Sequence, residues 1–405
     1  MPKESPTVPP GAVATSFLIA LVSMLATQVA AACVLAAVPV LAPAIAASIG
    51  VDASLVGIYY GLVFAAATVV SAWSGWLIER FRAVRTNQLA LVCSGASLLI
   101  ASVATLPAMT LTALLVGAGY GPNTPSSSQV LMQVTPPHRR ALSFSLKQSG
   151  SPVGGVLAGF MLPAIVVLAS WKVALFVVFV LATTTAGVIE PLRRRLDAQA
   201  QPSRSVQRTS GLASMQFVLS EKRLRRLTAG GVALMVAHAC FQTFLVTYLV
   251  QHVMLSLAVA GALYASMQAA GALARVVIGW SIDRLRNPRV MLMGIAITAL
   301  ASALVVTAFA PAWPLAAMWL VCVIVGIGSS GWYGAFLSEV ARATTVERAG
   351  FATGGVLFFA YGAHVAAPIL ASLLIAATGS YVLVFCAVAL LAGVAAVSFG
   401  RIGEA

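Results

Sequence analysis

Apolar stretches long enough to cross a bilayer follow one another through almost the whole of this 405-residue chain, separated by short polar connections. A bilayer core ~30 Å thick takes about 20 residues of helix. The stretches fall at about 14–37, 53–78, 87–106, 109–134, 141–168, 171–190, 227–251, 257–281, 290–310, 314–341, 350–376 and 380–400. Charged residues make up only 8% of the chain, against about 25% in soluble domains. That is too few to cover a water-facing surface of this size, so lipid is the expected solvent. Each stretch is expected to be a helix, because a backbone group left unpaired in lipid costs several kcal/mol. The expectation is an all-α membrane protein with twelve transmembrane helices.

The net charge of +14 does not point to nucleic acid, because the basic residues cluster in alternate connections, with Lys172 the main exception. Arg80, Arg82 and Arg85 follow the second stretch, and Arg139 and Arg140 the fourth. Arg193, Arg194, Arg195, Arg204, Arg208, Lys222, Arg223, Arg225 and Arg226 follow the sixth. Arg284, Arg286 and Arg289 follow the eighth, and Arg342 and Arg348 the tenth. This is the positive-inside pattern, which places those connections and both termini in the cytoplasm. The alanine- and arginine-rich composition and short loops suggest a bacterial inner membrane. Cys33, Cys93, Cys240, Cys322 and Cys386 all lie in apolar stretches without CxxC spacing and read as packing residues. No cofactor, P-loop, nucleophile motif or metal-ligand cluster is expected, and residues 1–13 read as a short tail rather than a cleaved leader. The chain divides into a tail (1–13), a six-helix half (14–190), a basic linker (191–226), a second six-helix half (227–400) and a tail (401–405). Residues 212–227 have the character of an amphipathic surface helix.

The halves repeat. Gly75-Trp76-Leu77-Ile78-Glu79-Arg80-Phe81-Arg82 closes the second stretch, and Gly279-Trp280-Ser281-Ile282-Asp283-Arg284-Leu285-Arg286 closes the eighth. Gly117 and Gly119 match Gly326 and Gly328, and Arg139-Arg140-Ala141 matches Arg348-Ala349-Gly350, all at offsets of about 204 to 209 residues. Parallel six-span repeats are one plan for alternating-access carriers.

The pattern Gly-x-x-x-(Asp/Glu)-Arg-x-x-x-(Arg/Lys) resembles the loop signature of the major facilitator superfamily. It stands at Gly75, Glu79, Arg80 and Arg85, the last one position late, and again at Gly279, Asp283, Arg284 and Arg289. The resemblance covers span count, linker position and both copies of the motif. It implies two pseudo-symmetric halves that rock about a midplane cavity, with a monomer as the working unit and no enzymatic activity. It also implies that the motif glycines let helices approach closely and that the motif carboxylates hold one state by meeting helix N-termini and arginines. Glu339 is a candidate partner for the arginines of the second copy. Two features depart from drug–proton antiporters of that superfamily. No arginine precedes Gly117, and Gly150-Ser151-Pro152-Val153-Gly154-Gly155 has one residue fewer between its proline and its glycine pair.

Ionisable groups inside a membrane are functional suspects. The acidic residues Glu4, Asp52, Glu79, Glu190, Asp197, Glu221, Asp283, Glu339, Glu347 and Glu404 all fall in tails, connections or span ends. Two cations do not. Lys147 lies about two turns into the fifth span, and Arg275 lies ~12 Å deeper than Asp283 in the eighth. Without a buried carboxylate, they point to an anion in the cavity, and the arginine fork suits a carboxylate. Lys147 reaching back to the interface and Arg275 bonding carbonyls are the competing readings. Ala274-Arg275-x-x-x-Gly279 is similar to the eighth-span arginine of monocarboxylate and oxalate transporters. Tyr120, Asn123, Gln242, Tyr333 and Tyr361 are further candidates for contact with the solute, and His238 and His364 for carrying a coupling proton. The leading expectation is a permease for a small organic anion, a monocarboxylate by resemblance, driven by protons or by exchange. The alternative is an exporter of drugs or hydrophobic metabolites by proton antiport.

Overall fold

The structure is a computed structural model that describes residues 10–135, 140–199, 211–282, 288–345 and 348–404. Among these, every regular element is a helix. The first half holds α1 (Pro10–Ile49), α2 (Val56–Ala72), α3 (Ser74–Phe81), α4 (Ala83–Ala101), α5 (Leu106–Tyr120), α6 (Asn123–Val134), α7 (Arg140–Leu168) and α8 (Trp171–Gln199). α9 (Gly211–Ser220) lies in the linker. The second half holds α10 (Lys222–Gln251), α11 (Leu257–Ile282), α12 (Pro288–Thr307), α13 (Leu315–Ser330), α14 (Tyr333–Arg342), α15 (Ala349–Thr378) and α16 (Tyr381–Gly400). The pairs α2–α3, α5–α6 and α13–α14 each make one interrupted crossing, which gives the expected twelve. Eleven crossings qualify on length and hydropathy alone; the other is α5–α6, where Gly121-Pro122 cuts the apolar run into pieces shorter than 18 residues.

Several boundaries differ from the expected ones. α1 runs through Pro39 and Pro43 to Ile49 rather than ending near 37. A membrane helix tolerates proline where its neighbours fill the gap, and α1 is enclosed by α7, α8 and α10. α8 continues past 190 with Pro191 inside it, and α10 already begins at Lys222, so helices enter the linker from both sides. The segment 212–227 is split between α9 and the start of α10. α9 is fixed to α15: Ser214 Oγ donates to the Phe351 carbonyl at 2.5 Å, and the Phe217 and Phe351 rings lie 5.6 Å apart.

The two halves meet through α1 on α10, α2 on α15 and α7 on α11. At the end away from the basic connections they share one apolar core. Val34, Leu41 and Val56 of the first half join Phe244, Tyr248 and Phe385 of the second. Two glycines set the α7–α11 approach: a Cβ on Gly159 would meet the Gly261 carbonyl oxygen at 2.6 Å, and one on Gly261 would collide with the Gly159 oxygen in turn. Small residues are what let helices come this close in lipid. At the basic end each half has a core of its own, Leu21, Met24, Val84 and Leu131 in one and Leu234, Leu292, Phe336 and Phe399 in the other. The halves therefore diverge toward the basic end.

The basic end of the first half is tied by α8. Arg82 adopts φ 71°, leaving α4 without a side-chain cap of its own. Asp197 supplies the cap from α8, accepting from the Val84 N–H at 2.9 Å. Burial pushes the Asp197 carboxyl above the usual range, against the pull of the Val84 N–H and Arg193. A carboxyl whose folded pKa is raised contributes stability at low pH that is lost as pH rises through that pKa. Asp197→Asn keeps the acceptor and removes the buried charge. It is expected to match or exceed wild type in thermal unfolding in detergent and to lose that stretch of pH dependence. Asp197→Ala is expected to cost about 1 kcal/mol, the value of a lost cap.

Candidate functional site

Both halves break a helix at matching places. α5 stops at Tyr120 and resumes as α6 at Asn123; α13 stops at Ser330 and resumes as α14 at Tyr333. Interrupted helices at corresponding positions of two repeats free backbone carbonyls inside the membrane and mark binding sites in carriers. Here they bring Tyr120, Asn123, Ser330 and Tyr333 to one level.

Arg275 of α11 lies between the halves at that level. Its Nε donates to the Ser330 carbonyl at 3.1 Å and its Nη1 to the Gln148 carbonyl of α7 at 3.3 Å. Tyr120 and Tyr333 both lie close enough to act on its charge. Tyr120 neighbours Ser151 and Gln28, and Tyr333 neighbours Tyr361. Arg275, Tyr120 and Tyr333 are part-exposed, and Tyr361 is exposed. Lys147 is fully buried, so it does not reach the interface, and its Nζ donates to Gln148 Oε1 at 3.2 Å. One residue thus holds both cations, Arg275 on its backbone and Lys147 on its side chain. The ion pairs among the described residues are Arg85–Glu190, Arg193–Glu190, Arg193–Asp197, Arg223–Glu339 and Arg342–Glu339, and none includes Arg275 or Lys147.

The two histidines sit beside this cluster in the second half. His238 Nδ1 is 3.2 Å from Ser330 Oγ, and its ring lies 5.9 Å from that of His364. His364 is buried, with Nδ1 2.9 Å from Met235 Sδ and its ring 3.9 Å from Phe64 of the first half. Gln242, one turn beyond His238, belongs to a separate group. It exchanges hydrogen bonds with Gln268 at 3.2 and 3.3 Å and accepts one from Tyr264 at 2.6 Å. Gln268 in turn packs against Gly155 of α7, where a Cβ would collide with its Nε2. Asn123 is buried, and its Oδ1 has no partner among the described residues.

The sequence reading missed Gln148, Ser330 and Gln268. Gln148 stands four residues before Pro152, and Ser330 directly precedes Gly331, so the signals were the helix breakers beside them.

The repeated motif stands apart from this site, at the basic end. The close helix approach expected at Gly75 and Gly279 is not made, since a Cβ on either would meet nothing within 4 Å. The physical reason is the divergence of the halves at that end. Glu79 and Arg80 are exposed, and the Arg80 guanidinium lies 5.9 Å from the Phe81 ring centre. Arg85 pairs with Glu190 of α8 at 3.1 Å. Glu339 pairs with Arg223 at 3.3 Å and Arg342 at 3.8 Å rather than with Arg289. Asp283 and Arg284, with Arg286, lie outside the described residues.

The family model of the Major Facilitator Superfamily matches residues 16–368. The chain belongs to the Major Facilitator Superfamily. Curated superfamily relatives include an uncharacterized MFS-type transporter of Mycobacterium tuberculosis (strain CDC 1551 / Oshkosh). It is 29% identical over 162 residues, covering 36% of this chain and 32% of the relative. The chain thus spans about a third of the length of the curated relatives it matches. Among solved structures, the nucleoside transporter NupG superposes with a TM-score of 0.77 at 16% identity, over 95% of this chain and 99% of that one. A bacterial homologue of the human lysosomal transporter Spinster, in an inward-facing and occupied conformation, superposes with a TM-score of 0.71 at 14% identity, over 95% and 96%. A point mutant of the peptide transporter POT gives 0.69 at 15%, over 95% of each chain. At these identities the likeness is one of fold.

Proposed function

We propose that this superfamily member is a secondary transporter that moves a small organic anion, a monocarboxylate, across the cell membrane by alternating access. The observation that carries this reading is the pair of cations on Gln148, Arg275 reaching it across the halves and Lys147 buried beside it on α7, with no carboxylate paired to either among the described residues. A cation held away from water without a counter-charge is costly, and a mobile anion supplies that counter-charge for the duration of transport. The arginine fork offers two parallel donors to a carboxylate. Tyr120, Tyr333 and Tyr361 stand around it as hydroxyls that fit a small oxygen-rich solute. His238, joined to the Arg275 seat through Ser330, is positioned to carry a coupling proton. With the basic connections in the cytoplasm, the structure is the inward-open form. The motif charges at Glu79 and Asp283 then act in the opposite form, when the basic ends come together.

The test is uptake of a panel of radiolabelled small carboxylates into proteoliposomes under an inward proton gradient. Saturable uptake of one acid is expected. In Arg275→Ala its affinity is expected to fall at least ~30-fold, as when a desolvated charge pair loses one partner, and Arg275→Lys is expected to recover only part of it. Absence of uptake of every carboxylate, with efflux of cationic dyes intact in both variants, would overturn the anion reading in favour of export.

A further inference from the structure

The Gln148 carbonyl has lost its helical partner for a reason written in the sequence. In an α-helix it would accept from the N–H of residue 152, but residue 152 is proline and has none. The Ser330 carbonyl is in the same position, because Ser330 is the last residue of α13. Inside a membrane neither can be left to water. Arg275 fills both, the first at 3.3 Å and the second at 3.1 Å, and the two carbonyls belong to opposite halves. The guanidinium is thus a bridge between halves whose two anchorages are carbonyls without a helical partner, one left by a proline inside α7 and one at the end of α13.

We propose that Pro152 is a positioning residue. By withholding an N–H it leaves the Gln148 carbonyl as a seat that parks Arg275 across the halves in the empty carrier, and the solute carboxylate must draw Arg275 off that seat before the halves rock. This rests on the reading of Arg275 as the anion's ligand. It makes Arg275 a latch when empty and a ligand when loaded, and gives the anion a differential interaction with the two forms, without which no ligand can shift an equilibrium. It also predicts that solute-for-solute exchange outruns net flux, because only the loaded carrier is unlatched.

The experiment measures spin-label distances between the halves on the basic side of the α2–α15 contact, from Val69 of α2 to Phe358 of α15, both exposed, in proteoliposomes without solute. Wild type is expected to show one dominant long distance. Pro152→Ala restores an N–H for the Gln148 carbonyl and evicts Arg275. It is expected to raise the minor short-distance population about ten-fold, the effect of losing one charged hydrogen bond. Pro152→Gly, which supplies the same N–H but leaves α7 free to bend, is expected to match it. In an Arg275→Ala background the Pro152 substitution is expected to add nothing. An unchanged distribution in Pro152→Ala overturns the proposal, and so does an equal shift in the Arg275→Ala background, since that would be an effect of the kink alone. If the distances behave as stated and no carboxylate is carried, the seat stands and the anion reading falls.

Discussion

Lys147→Met is expected to make the protein harder to melt and worse at its work. The ammonium is fully buried on α7 and donates to a neutral partner, Gln148 Oε1. Replacing buried ionic groups by apolar side chains of similar volume is often stabilising by about 1–4 kcal/mol. Methionine has nearly the length and flexibility of the lysine stem, so it fills the same space without strain. On the proposed anion reading, uptake at low solute concentration is expected to fall at least ~10-fold, because the proposed site would lose one of its two cations. Thermal unfolding in detergent and initial uptake rates check the two halves of the statement. A variant that loses both stability and uptake would show Lys147 to be a structural residue and remove it from the site.

Gly159→Val is expected to block transport for the opposite reason, by leaving the site intact and preventing one conformation. The added side chain would meet the Gly261 carbonyl oxygen at 2.6 Å and Ala265 Cβ at 2.9 Å. The nearest obstacle is backbone, on a helix whose own glycine faces back, so no side chain can swing aside. Overpacking of this kind costs about 1–3 kcal/mol, and here it falls only on the form in which this end is closed. That corresponds to about a 5- to 150-fold shift in the equilibrium between forms. Uptake is expected to drop by a similar factor, with inter-half distances at the non-basic end lengthened. Gly159→Ala should do the same in smaller measure. Wild-type uptake in the valine variant would mean that the α7–α11 contact does not have to close during transport.

The fold was legible because its main determinant is one-dimensional. Long apolar stretches and alternating basic connections are visible without any knowledge of contacts, and they placed all twelve crossings. What they could not place was where helices stop. Pro39 read as the end of α1 yet lies within it, because enclosing helices compensate a proline that would end a helix in water. Gly121-Pro122 and Gly331-Trp332 read as parts of continuous spans yet are breaks. At the site, Arg275 and Lys147 stood out because ions are rare at such depth. Gln148 did not, since an isolated glutamine carries no signal until its carbonyl is set against Pro152 one turn later. Glu190, the partner of Arg85, lay 105 residues away in sequence, and Arg223, the nearer in space of the two arginines paired with Glu339, lay 116 away, beyond any local pattern.

The single apolar core shared by both halves at the non-basic end has a thermal consequence. Opening that end hydrates Val34, Leu41, Phe244 and their neighbours, and hydration of apolar surface raises the heat capacity by about 0.45 cal/K/mol for each Å². Opening the basic end, where each half keeps its own core closed, carries no such increment. The two open forms therefore differ in heat capacity. Their balance tilts with temperature, warming from the cold favours the form with the shared core dry, and the Arrhenius plot of the transport cycle is curved rather than straight.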